Sequence, residues 1–221
     1  MTSIRVVLAD DDLLVRAGIR AVLSTDPGIE VVAEGGDGRE AIDLVQRHRP
    51  AVAVLDIRMP GTDGLTAAAE IRRTAPGTGV LVLTTFGEDE YILRALSGGA
   101  SGFLVKSGPP EEIIAATRAV ADGAAYLSPR VAARVVAHLA ATGAGGAAGR
   151  AAAQARIATL TDRERQVLAL LGSGMSNRQI AGRLSLVEGT VKAHVSAVLS
   201  GLGVPNRAAA AVLAHEAGLH P

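Results

Sequence analysis

Five short apolar, β-branched runs mark the first half of the chain: IRVVLA (4–9), IEVVAE (29–34), AVAVLD (51–56), GVLVLT (79–84) and SGFLV (101–105). Between them, apolar residues recur at helical spacing near 13–25, 38–48, 64–74, 88–97 and 110–121. Strands alternating with helices predict an α/β fold with an open parallel sheet covered on both faces. The near-continuous apolarity of the runs fits that double burial. In such folds function collects at the carboxyl ends of the strands, beside a topological switch point.

Beyond this region the pattern changes. YLSPRVAARVVAHLAA (126–141) reads as a helix, and TGAGGAAGRAAAQAR (142–156) as a flexible Gly/Ala linker, helical at most towards its end. Four helical pieces follow near 161–172, 176–184, 188–200 and 205–217, with capping boxes at Thr161/Glu164 and Ser176/Gln179. These boundaries give a domain at 1–125, a linker helix and linker at 126–157, and a small all-α domain at 158–221.

Composition sharpens the division. Residues 1–125 hold 12 Lys+Arg against 18 Asp+Glu, whereas residues 126–221 hold 10 against 4, so the formal net charge of zero joins an acidic half to a basic one. The basic half is the candidate for an anionic partner such as nucleic acid. With no cysteine there is no disulfide framework and no thiolate metal site. No secretion signal or membrane-length apolar run stands out, so a cytoplasmic location without membrane association is expected.

One apolar run ends abruptly on a charge. A lone carboxylate at the tip of a buried strand, as at Asp56, is costly unless something there uses it. In a sheet of order 2-1-3-4-5, Asp10 and Asp11 after the first strand, Asp56 after the third, Thr84 on the fourth and Lys106 after the fifth share one crevice. Clustered carboxylates repel unless a cation intervenes, and Mg2+ favours few carboxylates, waters and phosphate oxygens. Asp56 is then a candidate nucleophile towards a phosphoryl group, with Lys106 offsetting charge and the Thr84 hydroxyl bonding a phosphoryl oxygen. The chain has 20 Arg and only two Lys, yet a lysine stands at this pocket, where a compact ammonium differs from a guanidinium fork.

A competing pattern lies in GGDGREA (35–41), where Gly36, Gly38 and Ala41 satisfy a dinucleotide fingerprint. It follows the second strand, at the expected sheet edge, and puts Asp37 where a pyrophosphate would approach. A plain glycine turn accounts for it better.

In the basic half, SNRQIAGRLSLVEGTVKAHVSAVL has the form of two helices joined by a short turn. Ile180, Ala181 and Leu184 face inward from the first, and Val191, Val195, Val198 and Leu199 from the second. That leaves Thr190, Lys192, Ala193 and Ser196 on an outer face able to enter a major groove. Arg178, Arg183 and Arg207 are candidates for phosphate contacts. His194 reads as a polar boundary residue.

The motifs VLADDDLLVRAG, VLDIRMPGTDGL, VLTTF and GASGFLVK, followed by this helix pair, resemble a NarL/FixJ-family response regulator: a receiver domain and a LuxR-type helix-turn-helix. The resemblance covers residues 3–219. It implies a DNA-binding transcriptional regulator, not an enzyme, phosphorylated on Asp56 by a sensor histidine kinase with Mg2+ present. It also implies Asp11 as a direct metal ligand, Asp10 acting through water, the Arg58 backbone carbonyl completing the site, and Thr84 with Phe103 as a switch pair. Asp12 is expected as a cap of the first helix. Phosphorylation would move Thr84 and the loop 84–90 and alter dimerisation and binding to double-stranded DNA. An alternative keeps the DNA-binding half and makes the receiver a phosphorylation-independent interaction platform; the intact pocket argues against it.

Three residues depart from the family pattern. Phe103 stands where many receivers carry Tyr, and Gly201 replaces a usual lysine. Val187 replaces a capping Ser or Thr, removing about 1 kcal/mol of helix stabilisation. The apolar segment 207–219 resembles the family's dimer-forming helix, though its spacing suits core packing equally.

Overall fold

The computed structural model describes residues 3–85, 94, 98–128, 131–132 and 147–220. The expected helix at 88–97, residues 86–90 of the loop, most of 126–141 and the start of the Gly/Ala tract therefore lie outside the described residues, apart from Arg94. Two compact units emerge, one of residues 1–121 with 126–131, the other of residues 122–125 with 132–221.

The first unit holds strands β1 (Ile4–Ala9), β2 (Ile29–Gly35), β3 (Val52–Asp56), β4 (Gly79–Thr84), β5 (Gly102–Val105) and β6 (Tyr126–Leu127). All pairings are parallel and the order is β2-β1-β3-β4-β5-β6. The five expected strands take the expected order. A sixth, two residues long, extends the β5 edge where the sequence pattern reads as helix. Tyr126 N–H bonds the Ser101 carbonyl at 3.1 Å, which starts this short ladder.

Helices α1 (Leu13–Ser24), α2 (Gly38–His48), α3 (Gly64–Thr74) and α4 (Pro110–Ala121) cover the sheet. One face packs Val6, Leu8, Val54, Leu81, Leu83 and Leu104 against Leu23 of α1 and Ile113, Ala116 and Val120 of α4. The alternate strand residues Val7, Ala53, Leu55, Val82 and Phe103 are equally buried, as are Ile42 and Val45 of α2 and Ala68 and Ile71 of α3. Burial on both faces is why these strands carry Val and Leu at successive positions rather than alternating with polar residues. The helices start on aspartates: Asp12, Asp37 and Asp63 cap α1, α2 and α3, satisfying amide donors that the first turn leaves open.

In the second unit, α5 (Ala147–Ile157) precedes α6 (Asp162–Gly172), α7 (Asn177–Leu184), α8 (Glu188–Leu202) and α9 (Arg207–Glu216). The last four match the expected helices closely, and both capping boxes form. The end of the tract read as a flexible linker is a full helix. Ala153 and Ile157 of α5 enter one core with Leu168, Leu171, Ile180, Val191, Val198 and Leu213, so burial orders a segment whose sequence lacks apolar periodicity. Among the described residues no single helix is long and apolar enough to cross a membrane; α8 and α9 pass such a test only as a pair bent by 65°.

Candidate phosphoacceptor site and candidate nucleic-acid interface

At the carboxyl edge of the sheet, β1 and β3 are neighbours and both run out into acidic residues. Asp10 is fully buried and Asp56 is 5% exposed, while Asp11 is exposed. One carboxylate oxygen from each lies within 4.8 Å of the others. Lys106 reaches in from the end of β5, its Nζ 2.6 Å from Asp10 Oδ2 and 2.9 Å from Asp56 Oδ1. Its own amide donates to the Thr84 carbonyl at 2.7 Å, fixing the end of β5 beside the end of β4. The five residues expected in one crevice therefore sit at one sheet edge.

Charge is concentrated here beyond what one lysine balances. Burial pushes the Asp56 carboxyl above its ordinary value, despite bonds from Lys106 and the Ile57 N–H. Burial alone would lower the Lys106 pKa, but the two carboxylates outweigh it and hold the ammonium above its ordinary value. Asp10 Oδ2 and Asp56 Oδ1 share the one Lys106 ammonium, so three clustered carboxylates face a single cation among the described residues. An oxygen-only donor set, one carboxylate oxygen from each of three acidic residues within 4.8 Å of the others, fits a hard divalent cation such as Mg2+.

Thr84 and Phe103 lie on the same sheet face. Val82 is paired with Phe103 and Thr84 with Val105, so Thr84 is the diagonal neighbour of Phe103 across adjacent strands. Phe103 is fully buried. Arg58, two residues past Asp56, has an exposed side chain.

The dinucleotide pattern at 36–41 is spent on packing. A Cβ on Gly38 would come within 2.3 Å of the Thr62 carbonyl oxygen, and the Asp37 carboxylate occupies the helix start, accepting from the Glu40 N–H. An anion already fills the position a pyrophosphate would need.

In the second unit, α7 and α8 form the helix pair. Val191, Val195 and Val198 are buried, and Thr190, Lys192, Ala193 and Ser196 are exposed together on the outer face, as expected. Arg178 and Arg183 are also exposed. Lys192 pairs with Glu188 one turn earlier at 3.1 Å. Val187 makes no side-chain cap and is 71% exposed. Arg207 departs from its expected role. It is 6% exposed and bonds Asn177 Oδ1 at 2.9 Å and the Met175 carbonyl; burial lowers its pKa to about 10. In this structure its guanidinium is spent on the turn before α7 and is withdrawn from phosphate contact. The terminal helix likewise turns Ala210, Leu213 and Ala214 into the core, which is the packing reading of that segment.

Comparison with known proteins bears on both units. Residues 6–118 match the response regulator receiver domain, and residues 158–214 match the bacterial regulatory proteins of the luxR family. The chain belongs to the LuxR-type response regulators. It is 39% identical over 213 residues to the DNA-binding transcriptional activator DevR/DosR of Mycobacterium tuberculosis (strain ATCC 25618 / H37Rv), covering 96% of this chain and 94% of the relative. The nitrate/nitrite response regulator protein NarP of Escherichia coli (strain K12) is 38% identical over 212 residues, covering 96% and 94%. Among solved structures, the response regulator ChrA of a heme-sensing two-component system matches with a TM-score of 0.54 at 37% identity, covering 99% of this chain and all of that one. This response regulator is thus a DNA-binding transcriptional regulator of a two-component system, a family of regulators rather than enzymes.

Two site residues escaped the sequence reading. Gly64 opens α3 so close to the end of β3 that a Cβ would meet the Asp56 carbonyl oxygen at 1.8 Å. Its signal was the Asp63-Gly64 pair, a cap followed by the smallest residue. Arg16 carries no assigned role in the sequence reading, yet it turns back to the acidic edge.

Proposed function

We propose that this regulator is switched by Mg2+-dependent phosphorylation of Asp56. The observation that carries the reading is the buried Asp56 carboxylate in contact with Lys106 and clustered with Asp10 and Asp11. Asp10, Asp11, Asp56 and the Arg58 carbonyl would hold the cation, which when bound supplies charge neutralisation for an incoming phosphoryl group. An Asp56 oxygen forms the new bond to phosphorus, and the bond from phosphorus to a kinase histidine nitrogen breaks, its electron pair leaving with the imidazole. Lys106 then offsets the added charge. Thr84 bonds a phosphoryl oxygen, and Phe103 follows it as the switch partner.

The same reading places α8 in the major groove of double-stranded DNA through Thr190, Lys192, Ala193 and Ser196, with Arg178 and Arg183 on phosphates. Phosphorylation favours a homodimer that matches paired half-sites. The exposure of all four outer-face residues on α8 supports this half.

Intact mass after incubation with Mg2+ and a phosphorylated histidine kinase tests it, with Asp56→Asn alongside. One added phosphoryl group on the parent and none on the variant is expected. A parent left unmodified by a panel of kinases and by small phosphodonors would remove the mechanism.

A further inference from the structure

Among the described residues, Asp11 is the acidic residue of the cluster that no side-chain bond orients. It is exposed, and among the described residues the backbone of the turn between β1 and α1 sets where its carboxylate stands. Two bonds inside that turn are local. The Asp12 amide donates to Asp10 Oδ1 at 3.1 Å, and Asp12 Oδ1 accepts from the Leu14 and Val15 amides. Neither holds the carbonyl of Asp10, the group that defines the peptide plane entering Asp11.

Arg16 holds it. From the second turn of α1, Arg16 Nη1 donates to the Asp10 carbonyl and, at 3.2 Å, to the Gly35 carbonyl at the end of β2. The Asp10 amide also donates to the Gly35 carbonyl at 3.2 Å, so the guanidinium closes the ends of β1 and β2 into one clamp. The other edge of the group faces Glu34, whose Oε2 lies 3.6 Å from Arg16 Nε. Glu34 also pairs with Arg20 at 3.3 Å. The Arg16 side chain is only 15% exposed. Its Nη1 is spent on the two carbonyls and its Nε faces a carboxylate shared with Arg20, so it fixes geometry at the acidic edge as well as bringing charge near it.

We infer that Arg16 is a positioning residue for the divalent-cation site, fixing the Asp10–Asp11 peptide so that Asp11 can bind metal. This rests on the reading of Asp10, Asp11 and Asp56 as that site. A fork can span two carbonyls and a carboxylate together, whereas a lysine ammonium reaches one such set as a point charge. Partners behind a ligand govern metal affinity in the same way that bonds to a ligating histidine do.

Calorimetric Mg2+ titration of the full chain tests this, comparing the parent with Arg16→Lys, Arg16→Met and Arg20→Gln. Arg20→Gln weakens the Glu34 pair while leaving the carbonyl clamp in place. Both Arg16 variants are expected to bind Mg2+ about tenfold more weakly, the loss typical when a partner behind a ligand is removed, and Arg20→Gln is expected to match the parent. At saturating Mg2+ the Arg16 variants should still accept phosphate on Asp56, since the nucleophile and Lys106 are untouched. Parent-like Mg2+ affinity in Arg16→Lys and Arg16→Met, with folding intact by circular dichroism, would overturn the inference while leaving the proposed function standing. Equal weakening in Arg20→Gln would overturn it too, by assigning the effect to general charge at this edge. A parent that binds no Mg2+ would sink the metal-site reading and the inference with it.

Discussion

The regulator carries its charge in two opposite ways. In the first unit, Asp10, Asp56 and Lys106 are withdrawn from water and held within contact distance. In the second, Glu188 and Lys192 pair at similar distance on an open helix face, with side chains 41% and 55% exposed. Equal distances conceal unequal energetics. Buried charges act through a low local dielectric and punish any imbalance. An exposed i, i+4 pair contributes only about 0.3–0.5 kcal/mol and exchanges its partner readily. The first arrangement suits a switch, where one added phosphoryl group must reorganise its surroundings. The second suits an encounter surface, where on the proposed function Lys192 would leave Glu188 for DNA.

Lys106→Met should break this contrast most severely. It leaves two buried carboxylates facing each other, and loss of one member of a buried charge set costs about 3 kcal/mol or more. Thermal unfolding of the variant at neutral pH, against the parent, checks it; an unchanged midpoint would mean that the site is effectively solvated.

Asp56→Asn should act in the opposite direction and depend on pH. Because burial raises the Asp56 pKa in the fold, ionisation there costs stability. The cost is absent below the unfolded value of about 4 and complete above the folded one. The variant is therefore expected to unfold a few degrees higher at neutral pH, on a scale where about 1 kcal/mol moves a small domain by roughly 4 °C or more. The gain should vanish as the pH falls towards 4. A gain that persists undiminished in acid would assign it to packing instead of charge.

Val187→Ser probes the exposed side of the comparison. A serine there supplies the side-chain cap that α8 lacks, a change of about 1 kcal/mol. Amide exchange in the first turn of α8 should slow by about fivefold, in line with tenfold per 1.4 kcal/mol, with the receiver site unaffected. Unchanged exchange would show that the first turn is already held by Glu188, whose charge favours a helix start.

Much of the fold and site was legible because it is local or periodic. Strand runs, helix spacing and the capping residues Asp12, Thr161 and Ser176 each state their structure within a few residues. Once five strands are placed in order, Asp10, Asp56, Thr84 and Lys106 must end at one edge. Tyr126–Leu127 was not legible as a strand, since two residues carry no alternation and form only where β5 offers an edge. Residues 147–157 are helical without periodicity because Ala153 and Ile157, one turn apart, enter the core and hold the segment there.

The sequence by itself determined the element order, the pairing of an acidic sheet edge with one lysine, and the outer face of α8. Tertiary structure alone decided where two arginines spend their charge. Arg207 stands beside a nucleic-acid-binding motif and reads as a phosphate ligand, yet the fold buries it against Met175 and Asn177. Arg16 carries no assigned role in the sequence reading, yet the fold aims it at the Asp10 carbonyl. A guanidinium on a long side chain can satisfy its donors several residues away or several elements away, so its partner is fixed by packing and not by its neighbours in the chain.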